Sequence, residues 1–198
     1  MRNSPSQSVP PEYFDAKYEE KLDYWDFETS AYEATKYADT LLSLPAARYR
    51  NAFEIGCSIG VLTAKLAARS ANLFAIDVAE RALTAACVHC AALSNVQIAK
   101  MRFPRERPRR STRFDLIIVS EVGYYWSLPE LNAAQDAIEE RLEIGGHLVL
   151  VHWTPPVSDY PLTGDEVHES FLLRPCLRLL HGHRAASYRL DVLERRNL

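Results

Sequence analysis

The chain has 198 residues, 47% of them hydrophobic and 25% charged, with a formal net charge of −3. That is ordinary globular composition, long enough for one sizeable core. The acidic balance disfavours nucleic acid as a partner, and no apolar run approaches the roughly 20 residues that a bilayer-spanning helix needs.

Residues 1–11 are polar and proline-containing, and are expected to be a disordered tail. They lack the apolar stretch of a secretory signal, so the expected compartment is the cytoplasm. Residues 12–45 read as an aromatic-rich helical cap. Phe14, Tyr18 and Leu22 fall at i, i+4 and i+8 on one helix face. A break over 26–30 lets Thr29 or Ser30 cap a second helix over 31–44, which Pro45 ends. From residue 46 the pattern alternates, with strands near 51–55, 72–76 and 95–99 and helices near 61–69 and 80–93. Residues 102–113 hold six arginines and two prolines. A nucleic-acid patch and a solvated loop are both readings of that run; with aromatics not interleaved along it beyond the single Phe103 and a negative net charge, the loop is preferred.

Phe114 to Val119 is apolar on both faces, the mark of a strand covered on two sides in a parallel sheet. A helix is expected over 128–141. Gly145 and Gly146 are read as a turn into a strand over 147–152. A helix near 163–173 and strands over 176–182 and 186–195 complete the chain. This order predicts one α/β domain over 1–198 with a mainly parallel sheet and right-handed crossovers.

The chemistry concentrates at Asn51-Ala-Phe-Glu-Ile-Gly-Cys-Ser-Ile-Gly60 and at Asp77. Strand, glycine loop, helix, strand and acid in that order form an adenosine-binding layout, in which the acid accepts ribose hydroxyls. Dinucleotide binding wants three glycines. Here only Gly56 and Gly60 are present, so a nicotinamide oxidoreductase is disfavoured. Cys87 and Cys90 could suggest a metal or redox pair, but they lie in an alanine-rich helical stretch without a second ligand pair, so no metal is expected.

Glu54-Ile-Gly-Cys-Ser-Ile-Gly60 resembles motif I of the class I S-adenosylmethionine-dependent methyltransferases, [D/E]-x-G-x-x-x-G. The resemblance implies S-adenosyl-L-methionine as cofactor, S-adenosyl-L-homocysteine as product, and a Rossmann-like, seven-stranded, mostly parallel sheet whose last strand, beginning near Ser187, enters antiparallel. Carried onto this sequence, it implies cofactor contacts at Glu54, Gly56, Cys57, Ser58, Gly60, Asp77 and Val78. Met101 and Arg102 follow the third strand where many members place an acid for the adenine amino group. Ligands in such sheets sit beyond the carboxyl ends of the strands, which adds Ser120 and Glu121 after the fourth strand.

Three consecutive aromatics follow: Tyr124, Tyr125 and Trp126. Core packing is one reading and an acceptor platform, joined by His152 and Trp153, is the other. Glu121 and His152 are the candidate bases for an amine acceptor; loop bonding and a satisfied strand-end histidine are the plainer alternatives. The stretch Tyr13 to Tyr18, then Asp23-Tyr-Trp-Asp-Phe27-Glu-Thr-Ser30-Ala-Tyr32-Glu, joined to the glycine loop, is similar to the rhizobial nodulation N-methyltransferases, the NodS family, over nearly the whole chain. That resemblance implies methylation of the free amino group at the non-reducing end of a deacetylated chitooligosaccharide. No obligate protein partner is evident in the sequence. Tyr18, Trp25 and Tyr32 are expected to form a lid over the cofactor. Another sugar or aromatic acceptor, or a binding module without catalysis, is the alternative.

Overall fold

The computed structural model describes residues 7–197. They form two compact units: Pro10–Arg102 in one, and the segment ending at Val9 with everything from Phe103 onward in the other.

The N-terminal unit opens with α1 (Pro11–Glu20), which has proline in its first turn, where the missing N–H costs nothing. The Asp23 carboxylate accepts from Phe27 N–H and Glu28 N–H at 2.7 and 3.0 Å and closes the following turn. Ser30 then caps α2 (Ala31–Leu42), as the sequence suggests. After it come β1 (Tyr49–Ile55), α3 (Val61–Ala67), β2 (Ser70–Asp77), α4 (Glu80–His89) and β3 (Val96–Lys100). The strands lie β3-β2-β1 and are parallel. Phe53, Leu73 and Ile76 are fully buried among them, with Phe53 stacked on Phe74 at 5.5 Å. Ile55 pairs with Ile76, so β1 and β2 end level. That register places the 56–60 loop beside Asp77.

In the C-terminal unit, β4 (Phe114–Ser120) leads through a single 3-10 turn at Gly123–Tyr125 into α5 (Leu128–Arg141). Next are β5 (Leu142–Trp153), α6 (Gly164–Leu172), β6 (Leu177–Arg184) and β7 (Tyr188–Arg195). The order is β4-β5-β7-β6; β4 and β5 are parallel, and β7 runs antiparallel to both its neighbours. Leu116 to Val119 are fully buried, as a strand covered on both faces must be. A capping box between Thr163 and Glu166 starts α6.

Two expectations change. Gly145 and Gly146 were expected to turn into β5, but the strand already begins at Leu142. The register jumps from Phe114↔Leu142 to Leu116↔His147, so the glycines form a bulge, with Gly145 at φ 77°. The expected disordered tail lies outside the described residues as far as residue 6. Beyond it, Val9 N–H donates to the Tyr125 carbonyl at 2.8 Å.

From 102 to 113 there is no helix or strand. Arg105 pairs with Glu130, and Arg110 with Glu140 at 3.4 Å, so carboxylates of α5 offset part of this charge. Among the described residues no helix is long and apolar enough to cross a membrane, and no cluster of His, Cys, Asp or Glu could hold a metal ion.

Candidate active site

In the N-terminal unit the site is a backbone loop held by one carboxylate. Gly56 N–H and Cys57 N–H both donate to the Ile76 carbonyl at 2.9 Å, which turns the chain sharply out of β1. Gly56, Ser58 and Gly60 all have positive φ, of 85°, 49° and 86°. Gly60 has a second reason to be glycine: a Cβ there would lie 3.0 Å from the Ala86 Cα on α4. Asp77 Oδ2 accepts from Ser58 N–H at 2.8 Å, and its Oδ1 accepts from Val78 and Ala79 N–H at 2.7 and 3.0 Å. Burial pushes the Asp77 carboxyl above its ordinary value, and these three backbone donors oppose the rise. Met101 N–H adds a bond to the Asp77 carbonyl at 3.0 Å.

The helical cap meets this loop. The Tyr18 hydroxyl and Ser58 Oγ are 2.6 Å apart. Burial, reinforced by Asp77, pushes the Tyr18 phenol well above its ordinary value, so the hydroxyl keeps its proton. Trp25 stands edge-on to Tyr18 at 5.5 Å, and with Phe14 and Phe27 it packs against Tyr18, Ile59, Ala79 and Ala82. The sequence-predicted Tyr18, Trp25, Ser58, Asp77 and Val78 are therefore brought together. Tyr32 is not part of that cluster; on α2, it has Lys36 Nζ 5.0 Å from its ring centre. Arg102 follows β3 and is half-buried. The Cys57 thiol is buried and pushed well up, so it stays protonated.

Glu54 is the outlier. It is 1% exposed, both its carboxyl oxygens lack a hydrogen-bond partner, and burial raises its pKa to about 8. The Thr63 hydroxyl on α3 lies close enough to offset part of that rise, but closes no bond.

In the C-terminal unit the predicted residues gather at the exits of β4 and β5. Glu121, at φ 57°, donates its N–H to the Val151 carbonyl at 2.8 Å. Its Oε2 accepts from Trp153 N–H at 2.9 Å and from the Tyr124 hydroxyl at 2.5 Å. The side chain thus extends the β4–β5 ladder past the end of the strand at Ser120. Tyr124, Tyr125 and Trp126 are only 5%, 9% and 5% exposed, so the aromatic run is packed and not an open platform. Tyr160, absent from the sequence reading, stacks on Tyr124 at 5.2 Å and meets Tyr125 edge-on at 4.7 Å. Proline-rich flanks hid it. Trp153 is half-buried, whereas His152 is fully buried and receives Gly123 N–H on its Nε2 at 3.0 Å.

The profile of the Nodulation protein S (NodS) family matches residues 16–151. The chain belongs to the NodS family. It is 33% identical over 135 residues to Nodulation protein S of Sinorhizobium fredii, covering 64% of this chain and 59% of that one. It is 34% identical over 132 residues to the Rhizobium tropici protein of that name, covering 64% and 53%. The chain thus spans little more than half the length of these NodS relatives. The solved N-methyltransferase NodS of Bradyrhizobium japonicum WM9, in complex with S-adenosyl-L-homocysteine, superposes with a TM-score of 0.83 at 25% identity, covering 92% of this chain and 98% of that one. The fold is the α/β fold of a class I methyltransferase, as the glycine loop predicts.

Proposed function

We propose that this chain is an S-adenosylmethionine-dependent N-methyltransferase, and that its acceptor is the free terminal amine of a deacetylated chitooligosaccharide. Family membership supports the reading. The observation that carries it is the Asp77 carboxylate, which ties down the glycine loop next to the Tyr18–Trp25 aromatic wall.

These residues suit an adenosine: backbone freed of side chains at Gly56 and Gly60, flat apolar rings, and a half-buried acid. A carboxylate has about four acceptor sites, and the backbone fills three on Asp77. Asp77 would therefore take one ribose hydroxyl directly, and a second only by releasing Val78 or Ala79 N–H. When bound, S-adenosylmethionine supplies the methyl group on a sulfonium. The residues Tyr18, Trp25, Gly56, Ser58, Gly60 and Asp77 would hold and orient it, with Tyr18 and Trp25 excluding water as part of a lid.

An amine must be neutral to attack. A glucosamine amine has a pKa below that of lysine, so a modest shift frees its lone pair. Glu121 is the group suited to hold that proton, because Trp153 N–H and Tyr124 already fix its orientation. The half-buried Trp153 and Tyr160 are the rings suited to sugar faces, with Tyr124 and Tyr125 packed against Tyr160.

The test is incubation with methyl-labelled cofactor and paired oligomers. Oligomers with a free terminal amine should take up label, and their fully N-acetylated counterparts should not. Equal labelling of both would remove the amine and leave a hydroxyl as acceptor.

A further inference from the structure

A buried polar chain in the C-terminal unit joins four elements. Gly123 N–H, in the turn after β4, donates to His152 Nε2 at 3.0 Å. His152 Nδ1 lies 3.1 Å from His168 Nε2, and His168 Nδ1 lies 2.7 Å from Asp191 Oδ2 on β7. Both imidazoles are fully buried. Arg189 Nε sits 2.9 Å from the same Asp191 oxygen.

The two ends of this chain set its direction. A backbone N–H can only donate, so His152 Nε2 must present a lone pair, and its proton sits on Nδ1. That N–H points at His168 Nε2, which must accept, so the His168 proton also sits on Nδ1. The Asp191 carboxylate receives it. One arrangement of protons satisfies every link. An added proton breaks one, because it sets two N–H groups face to face or strips Gly123 of its acceptor. The charged and titratable groups facing the rings are Asp191 and Arg189 on β7, Asp165 on α6 and the Tyr124 ring, edge-on to His152 at 5.5 Å. Burial lowers His168 from its ordinary value, against the pull of Asp191, in keeping with a neutral ring.

The backbone makes room for this chain. A Cβ on Gly123 would lie 2.8 Å from His152 Nε2 and 2.6 Å from Val167 Cγ1 on α6. Gly182 pairs with Asp191 across β6 and β7, and a Cβ there would lie 2.5 Å from Asp191 Oδ1.

We propose that His152, His168 and Asp191 form a one-directional relay that holds both histidines as neutral Nδ1–H tautomers and clamps the Gly123 backbone, and with it Tyr124 and the Glu121 carboxylate. His152 and His168 are then positioning residues and not proton acceptors. The consequence for rate rests on the N-methyltransferase reading; the tautomers do not.

Ring-nitrogen NMR on the ¹⁵N-histidine-labelled full chain tests it, with His152 and His168 assigned by substitution. Both rings should show a protonated Nδ1 and a bare Nε2 at pH 7. Asp191→Asn should let an Nε2–H form of His168 appear. In His168→Gln, whose amide can accept from His152 and donate to Asp191, the His152 pattern and the transfer rate should stay within about three-fold of the native values, whereas His168→Leu should slow transfer by about ten-fold or more with cofactor affinity unchanged. An Nε2–H or imidazolium signal from either native ring at pH 7 overturns the relay. Undiminished transfer by His168→Leu overturns the positioning role. The ring signals need neither cofactor nor acceptor, so they stand even if the chitooligosaccharide reading fails.

Discussion

Two loops leave parallel strands in this molecule and are held in opposite ways. The loop after β1 is mostly glycine and small residues, and one carboxylate from the adjacent strand fixes it through the Ser58 backbone N–H. The loop after β4 is aromatic, and its own Glu121 side chain and a buried histidine pair from two other elements fix it. The first keeps its backbone bare, which suits close approach of a ligand. The second packs its side chains inward, which suits holding one carboxylate still.

The largest expected effect falls on the first loop. Asp77→Ala leaves Ser58 N–H in this loop, and Val78 and Ala79 N–H just after β2, without their acceptor, each worth roughly 1–3 kcal/mol when buried. S-adenosylhomocysteine binding should weaken by about 100-fold. Asp77→Asn should recover little of it, because an amide NH₂ facing Ser58 N–H sets donor against donor. Native calorimetric affinity in either folded variant would break the claim that this carboxylate governs the loop.

For the second loop the sharpest probe is Gly123→Ala. Its methyl would press on Val167 and His152, and overpacking of this kind costs about 1–3 kcal/mol. Gly145→Ala is the control, since its Cβ meets nothing within 4 Å and only the positive φ opposes it. Thermal melts should rank Gly123→Ala below Gly145→Ala; the reverse order would show that the second loop is not tightly packed.

How much was legible follows the same division. Asp77 and the glycines announced themselves because the strand–loop–helix–strand unit keeps its parts within about twenty residues of one another. Ser30 as a cap was readable for a similar local reason, whereas the antiparallel direction of β7 came from the family resemblance alone. The relay was not, since Gly123, His152, His168 and Asp191 meet only through tertiary packing. One signal was available: Asp191 lies in Tyr188-Arg-Leu-Asp-Val-Leu, where buried residues alternate on both faces, so a charge there demands a partner. The Gly145–Gly146 bulge was missed because a glycine pair reads alike whether it ends a strand or bends one.

A smaller effect separates Glu54 from Asp77, the two acids that flank the first loop. The folded pKa of Glu54, about 8, is raised above its ordinary 4.5. The unfolded chain therefore loses that proton first, and stability falls as pH rises from 4.5 to 8. Glu54→Gln should raise the melting temperature more at pH 8.5 than at pH 5. An equal gain at both would mean that Glu54 is not held protonated.

The smallest expected change is kinetic. If α1 and the 23–30 turn close over the cofactor, amide exchange across 12–40 should slow when S-adenosylhomocysteine is added, while 128–141 stays as it was. Equal exchange with and without it would reduce Tyr18 and Trp25 to simple packing.

The start of α5 carries one more consequence. Ser127 at its N-cap makes no side-chain cap bond of its own. Instead the Ser8 hydroxyl accepts from Ser127 N–H at 2.7 Å and donates to the Glu130 carboxylate. A hydroxyl made 119 residues earlier is thus inserted between the two halves of a capping box. During synthesis, the first turn of this helix stays open until the front of the chain finds its way back. Ser8→Ala would leave Ser127 N–H and the Glu130 carboxylate without their bridge, so this helix start depends on a residue far from it in sequence.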